Sequence, residues 1–216
     1  MAHVIAFRRS TTKGPDRVSG IAARGGCMIR TALLICVCAS LAACAKPSTN
    51  SCEARADAML DLSFGAFDQG PDGWRSLDGS LACPDSAPEV LAEYRHRHRD
   101  ALSRPNISLL TWHEAQMRAA QGDDQRTAVR LMREAAFAGE PDWQRLYREG
   151  SIAFMEGDRS RLMAARDELA GLPRDPMLKG LNGSEVEWPP NLDVLDGLIS
   201  CFGKPYSVAY VCRPAP

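Results

Sequence analysis

The chain has 216 residues, of which 25% are charged and 45% hydrophobic, with 8 cysteines and a formal net charge of -1. Six basic residues and one acid precede residue 44, so the 173 residues from Cys44 onward carry 20 basic and 26 acidic side chains. That acidic balance counts against a nucleic-acid partner, which wants a basic face. The length fits one domain with a sizeable core.

Residues 1–27 hold Arg8, Arg9, Lys13, Arg17 and Arg24 among Gly, Ser and Thr, with Asp16 the single acid. Little periodicity runs through them. The simplest reading is an upstream extension, the true start being Met28. A mitochondrial-type presequence is the runner-up, and its amphipathic helix is opposed by the glycines and Pro15. Residues 28–43 read as a secretory signal peptide: basic Arg30, an apolar run from Thr31 to Leu41, then small Ala42 and Ala43. The run is shorter than the roughly 20 apolar residues a spanning helix needs.

The four residues Leu41-Ala42-Ala43-Cys44 resemble the lipobox of bacterial lipoproteins. The resemblance implies cleavage before Cys44, a diacylated sulfur and an acylated new amino terminus. It makes the membrane the first partner and the periplasm the space faced. Ala45 is not the aspartate that retains enteric lipoproteins in the inner membrane, which implies the outer membrane. Residues 44–51 then form a short polar tether, and residues 52–216 the folded domain.

Cys27, Cys36 and Cys38 lie before the cleavage point, and Cys44 takes the lipid. Cys52, Cys83, Cys201 and Cys212 remain, an even number for an oxidising compartment, with three possible pairings. Loop-closure entropy favours long crossed loops. Local geometry and speed favour Cys52–Cys83 and Cys201–Cys212, the expected pairs. Neither a CxxC pair nor zinc-finger spacing is present.

Helical periodicity dominates the domain. Ser51 is expected to cap a helix carrying Ala56, Met59, Leu60 and Phe64. Gly70-Pro71-Asp72-Gly73 reads as a turn. Residues 85–88 start a long helix through Val90, Leu91 and Tyr94 to Leu102, with Pro105 marking its end. Ser108 opens the next, with Leu109, Trp112, Ala115 and Ala119 inward. Gly122-Asp123 turns it into a partner with Ala128, Leu131, Met132 and Ala135. Gly139-Glu140-Pro141 breaks again before Leu146, Tyr147, Ile152 and Phe154. Gly157-Asp158 turns into Leu162, Met163, Ala165 and Leu169, which Gly171-Leu172-Pro173 stops. Residues 179–190 read as a loop, and Asn191 as the cap of a helix through Ile199. Residues 205–212, rich in aromatic and β-branched types, fit a short helix or an extended segment, stapled by Cys201–Cys212.

Gly122 and Gly157 are 35 residues apart, and the segments around them align. Ala115 and Gly150 each stand seven residues before their turn glycine, while Pro105, Pro141 and Pro173 recur at unit ends. This spacing resembles the tetratricopeptide repeat, a two-helix unit of about 34 residues. The resemblance covers residues 104–173, two units, with residues 52–102 an irregular third pair. It implies an all-α fold of stacked αα-hairpins. Such stacks bind proteins or peptides on a concave face.

Chemical signatures are sparse. His96 and His98, in YRHRHRD, are two apart and do not share a helix face. Their arginine neighbours would repel a cation. The stretch reads as a solvated face, with an anion or partner contact as the alternative. Trp112-His113-Glu114 lacks the second histidine of a zincin, since residue 117 is Met. Neither GxSxG nor a phosphate-binding loop occurs. Trp112, Tyr147 and Phe154 fall on apolar faces as core. Trp74 and Trp188 lie in turns, where a core role is less automatic. No catalytic, cofactor or metal residue is expected. The expected function is a non-catalytic lipoprotein that binds a protein or peptide in the periplasm. An immunity protein and an accessory subunit of envelope machinery are its two versions. An envelope enzyme such as a cell-wall hydrolase is the alternative.

Overall fold

A computed structural model of the chain describes residues 49–79, 83–122, 124–179 and 183–213. Cys44, the signal peptide and the upstream extension lie outside them. Among the described residues the fold is all-α and sheet-free. Among those residues, extended segments meet at one antiparallel bridge, between Lys179 and Glu185.

Helix α1 spans Thr49–Met59. It starts before Ser51, so that residue sits inside the helix and is not its cap. Phe64 belongs to a separate short helix, α2 (Phe64–Gln69), capped by Ser63 Oγ on the Ala66 amide. After the Gly70–Gly73 turn comes α3 (Arg75–Gly79), then a 3-10 turn at Pro84–Ser86 that leads into α4 (Ala87–Arg97). Helix α4 stops five residues short of Leu102. His98 bonds the Leu60 carbonyl at 2.8 Å, and Tyr94 the Leu62 carbonyl at 2.8 Å, which ties the end of α4 to the end of α1.

Pro105 starts a helix and does not end one. It lies in the first turn of α5 (Arg104–Gln121), where its missing N–H costs nothing and its fixed φ favours the helix. The cap is Ser103, whose Oγ accepts from the Asn106 amide at 3.3 Å. Ser108 is instead buried inside α5, and its Oγ donates to the Ala135 carbonyl across the next helix. Gly122 ends α5 with φ of 82°, a left-handed value that a side chain resists.

Two more capped helices follow the same plan. Asp124 caps α6 (Gln125–Glu134), accepting from Thr127 at 3.0 Å. Helix α7 (Asp142–Met155) runs to the Gly157 turn, φ 72°. Asp158 then caps α8 (Arg159–Ala170), accepting from Arg161 at 3.0 Å. Helix α5 packs on α6 and α7 on α8, with α6 against α7. Ala115 is fully buried, and Gly150 lets α7 approach Leu162 on α8 and Leu195 further on.

The chain closes with α9 (Leu192–Ser200) and α10 (Tyr206–Tyr210). The tail is therefore helical despite its β-branched and aromatic content. Tyr206 and Tyr210, four apart, both face inward and are buried. Helix α9 packs on α7 and α8, and α10 on α9 and α5. Disulfides join Cys52 to Cys83 across 31 residues and Cys201 to Cys212 across 11. Loop closure of those lengths stabilises by about 4 and about 3 kcal/mol respectively.

Helix α9 and the end of the tail meet closely at Gly197. A Cβ on Gly197 would lie 2.1 Å from the Cys212 carbonyl oxygen, a backbone atom held by the disulfide. Gly197→Ala must push the tail off α9. We expect a loss of about 1–3 kcal/mol, read as a lower midpoint in urea unfolding. An unchanged midpoint would contradict this packing.

Candidate functional site

Helix α5 is the axis of the domain. From Leu110 to Met117 every residue is buried, so its polar side chains must find partners inside. Three of them do so in different directions. His113 meets the N-terminal segment. Asp68 of α2, 1% exposed, accepts from Trp74 Nε1 at 3.0 Å and Arg75 Nη2 at 3.2 Å, with His113 Nε2 at 3.6 Å. Gln69 also donates to it. The Arg75 guanidinium stacks over Trp74 at 4.3 Å and reaches His113 Nε2 at 3.2 Å. Burial works to raise the Asp68 pKa, but His113, the Trp74 N–H and Arg75 outweigh it and hold the carboxyl below 3.8.

Glu114 turns the other way and is gripped by Arg95 at 2.7 Å and Arg118 at 2.9 Å. Gln116 points to the tail. Its Nε2 donates to Tyr147 Oη at 3.0 Å and lies 3.4 Å from Tyr206 Oη. Burial pushes both phenols up, so they keep their protons and serve as hydrogen-bonding groups.

Between α5 and α7 a cleft stays open. Trp112 comes from α5, Trp143 and Tyr147 from α7, and Asn191 from the residue before α9. Trp112 and Tyr147 meet edge to face with centroids 5.3 Å apart. The floor carries Glu140, bound to Arg148. The cavity volume is about 40 Å³. One water takes roughly 10–15 Å³ on that measure, so the cleft has room for the end of a side chain. Asn191 is 8% exposed, and its Oδ1 is buried without a hydrogen-bond partner. Asn191 does hold the cap position of α9, but with φ of 63° and no side-chain bond to the helix, so its amide is free for the cleft.

The sequence-derived candidates scatter. The four domain cysteines are paired at the two ends of the domain. Trp112 and Tyr147 are buried and yet wall the cleft, and Phe154 packs on Phe202 and Tyr206. Trp74, drawn from a turn, is fully buried. Trp188 is half-buried and donates to the Leu172 carbonyl at 3.1 Å. His96 is exposed and His98 supports the α1–α4 contact. Among the described residues no three His, Cys, Asp or Glu side chains are grouped to hold a metal ion. Asp68 and His113 have the form of an oriented base, but no Ser, Thr or Cys lines the adjoining cleft. Comparison with protein-family models, curated proteins and solved structures finds no match to this chain.

Proposed function

We propose that this is a non-catalytic lipoprotein, anchored in the outer membrane through Cys44, whose helical domain binds a protein or peptide in the periplasm. The α5–α7 cleft carries the reading. Two tryptophans and a tyrosine surround a space fitted to one side chain, and a buried acceptor, Asn191 Oδ1, waits for a donor. Aromatic anchors in small desolvated pockets supply most of the energy at protein interfaces. An unpaired buried amide costs about 1–3 kcal/mol, which a bound N–H or O–H would relieve.

The tetratricopeptide-like reading of α5 to α8 rests on the paired hairpins and on left-handed glycines at both turns. Within that reading α5 and α7 are equivalent first helices, whose faces form a repeat stack's groove. Here α10 packs on α5 and α9 on α7, so the tail fills part of that groove and leaves the cleft as its open portion. Immunity against an envelope toxin and an accessory role in envelope machinery both use such a surface.

Capture of the full-length protein from detergent-solubilised membranes tests the reading. We expect a stoichiometric protein or peptide partner that Trp143→Ala loses, by at least about tenfold for a central anchor worth 2 kcal/mol. Trp143 sits in the first turn of α7, so melting curves must show that the variant stays folded. Equal capture by wild type and a folded Trp143→Ala would defeat the proposal.

A further inference from the structure

The tail is tied to the cleft through a chain of hydrogen bonds. Tyr147 walls the cleft from α7, and its ring meets Trp112 edge to face. Its Oη accepts from Gln116 Nε2 at 3.0 Å and hydrogen-bonds Tyr210 of α10. Gln116 Nε2 also lies 3.4 Å from Tyr206 Oη, and the Tyr206 and Tyr210 rings stand 5.5 Å apart. All four side chains are buried. Helix α10 thus helps to fix the orientation of a residue that walls the cleft. A wall already held in one orientation need not be ordered when a partner binds.

Helix α10 is not stable by itself. Its five residues, Tyr206–Tyr210, are far fewer than the roughly 12 at which an isolated helix becomes even marginal in water. It is held by packing on α9 and α5 and by the Cys201–Cys212 bond. The Arg213–Asp193 ion pair adds little, since its side chains are 41% and 45% exposed.

The two disulfides differ in access. Cys52 and Cys83 are buried, whereas Cys201 and Cys212 are each half-buried. Exchange requires an attacking thiolate to reach a sulfur, so access favours reaction at Cys201–Cys212.

We propose that Cys201–Cys212 is a reducible latch: oxidised, it seats α10 and keeps the α5–α7 cleft in its binding shape, and reduced, it frees α10 and loosens the Tyr147 wall. This rests on the proposed binding role of the cleft and adds its regulation. The reductant is a dithiol, such as a CxxC oxidoreductase. One of its thiolates attacks a latch sulfur and forms a mixed disulfide, and the other latch cysteine leaves as a thiolate that takes up a proton. The reductant's second thiol then displaces the bound latch cysteine. Two electrons pass to the latch, and the reductant becomes a disulfide.

Full-length protein in neutral detergent, treated with graded dithiothreitol and then iodoacetamide, tests this. Mass spectrometry should find Cys201 and Cys212 alkylated while Cys52–Cys83 is still intact. At that point hydrogen exchange of the 206–211 amides should rise, with α5 to α8 still protected. Acrylamide should quench tryptophan emission more strongly, through Trp112 and Trp143. Cys201→Ser/Cys212→Ser should match the reduced protein without any reductant. Tyr206→Phe, which removes one hydroxyl and leaves the disulfide, should raise the quenching part of the way. Opening of both disulfides together, or a reduced latch with unchanged exchange across 206–211, overturns the latch. Freed α10 with unchanged quenching overturns its hold on the cleft. None of these readouts needs a partner, so the latch stands or falls apart from the binding function, which Trp143-dependent capture tests by itself.

Discussion

Asp68→Ala is expected to destabilise the described domain by about 3 kcal/mol. Removing one member of a buried pair costs about 3–5 kcal/mol, because the other charge is left without compensation. Arg75 keeps a side-chain exposure of 29%, which places the effect at the lower end. The Trp74 indole N–H also loses its acceptor at full burial. Asp68→Asn keeps an oxygen for Trp74 and removes only the charge, so it should cost less. Asp68→Ala/Arg75→Met should recover part of the loss, since the cation goes with its partner. The sign of the pH effect follows from the direction of the shift. Asp68 is held below 3.8 in the folded state, so its contribution is complete above that value and is lost as pH falls through the folded value. Wild type should therefore lose stability toward strongly acidic pH more steeply than Asp68→Asn. Urea midpoints measured between neutral and acidic pH check both statements, and parallel pH curves for the two proteins would contradict the ion-pair account.

What the sequence revealed was local, and what it hid was tertiary. Gly122 and Gly157 announce their turns because a left-handed residue is needed there, and the apolar spacing around them fixes two hairpins. Pro105 misleads because proline serves equally after one helix and in the first turn of the next. The deciding signal was Ser103, a capping residue two positions earlier. The tail segment 205–212 has strand propensity, yet Tyr206 and Tyr210 share a helical face against α5, and packing outweighs propensity. Asp68 looks like a solvated turn residue, and nothing within its neighbourhood names His113, 45 positions away, as its partner. The cleft is hidden for the same reason. Trp112 and Tyr147 read as core and are buried, but their juxtaposition with Trp143 and Asn191 is created only by the α5–α7–α9 packing. The basic stretch around His96 was readable as charge.

Cys44→Ala is expected to release the protein from membranes altogether. Two acyl chains on one residue, at about 0.8 kcal/mol per buried methylene, hold a domain with on the order of 20 kcal/mol. No helix among the described residues is long and apolar enough to cross a membrane, so the described domain adds no anchor of that kind. Helix α1 begins at Thr49, which leaves Cys44 to Ser48 as the link. Five residues reach at most about 17 Å when extended, so a lipid on Cys44 would keep the domain close to the bilayer. The variant should move from the membrane pellet to the soluble fraction, and globomycin should no longer alter its processing. The domain itself should melt as wild type does, because residue 44 precedes every packed helix. Retention in the pellet after a high-salt wash would reject lipid anchoring.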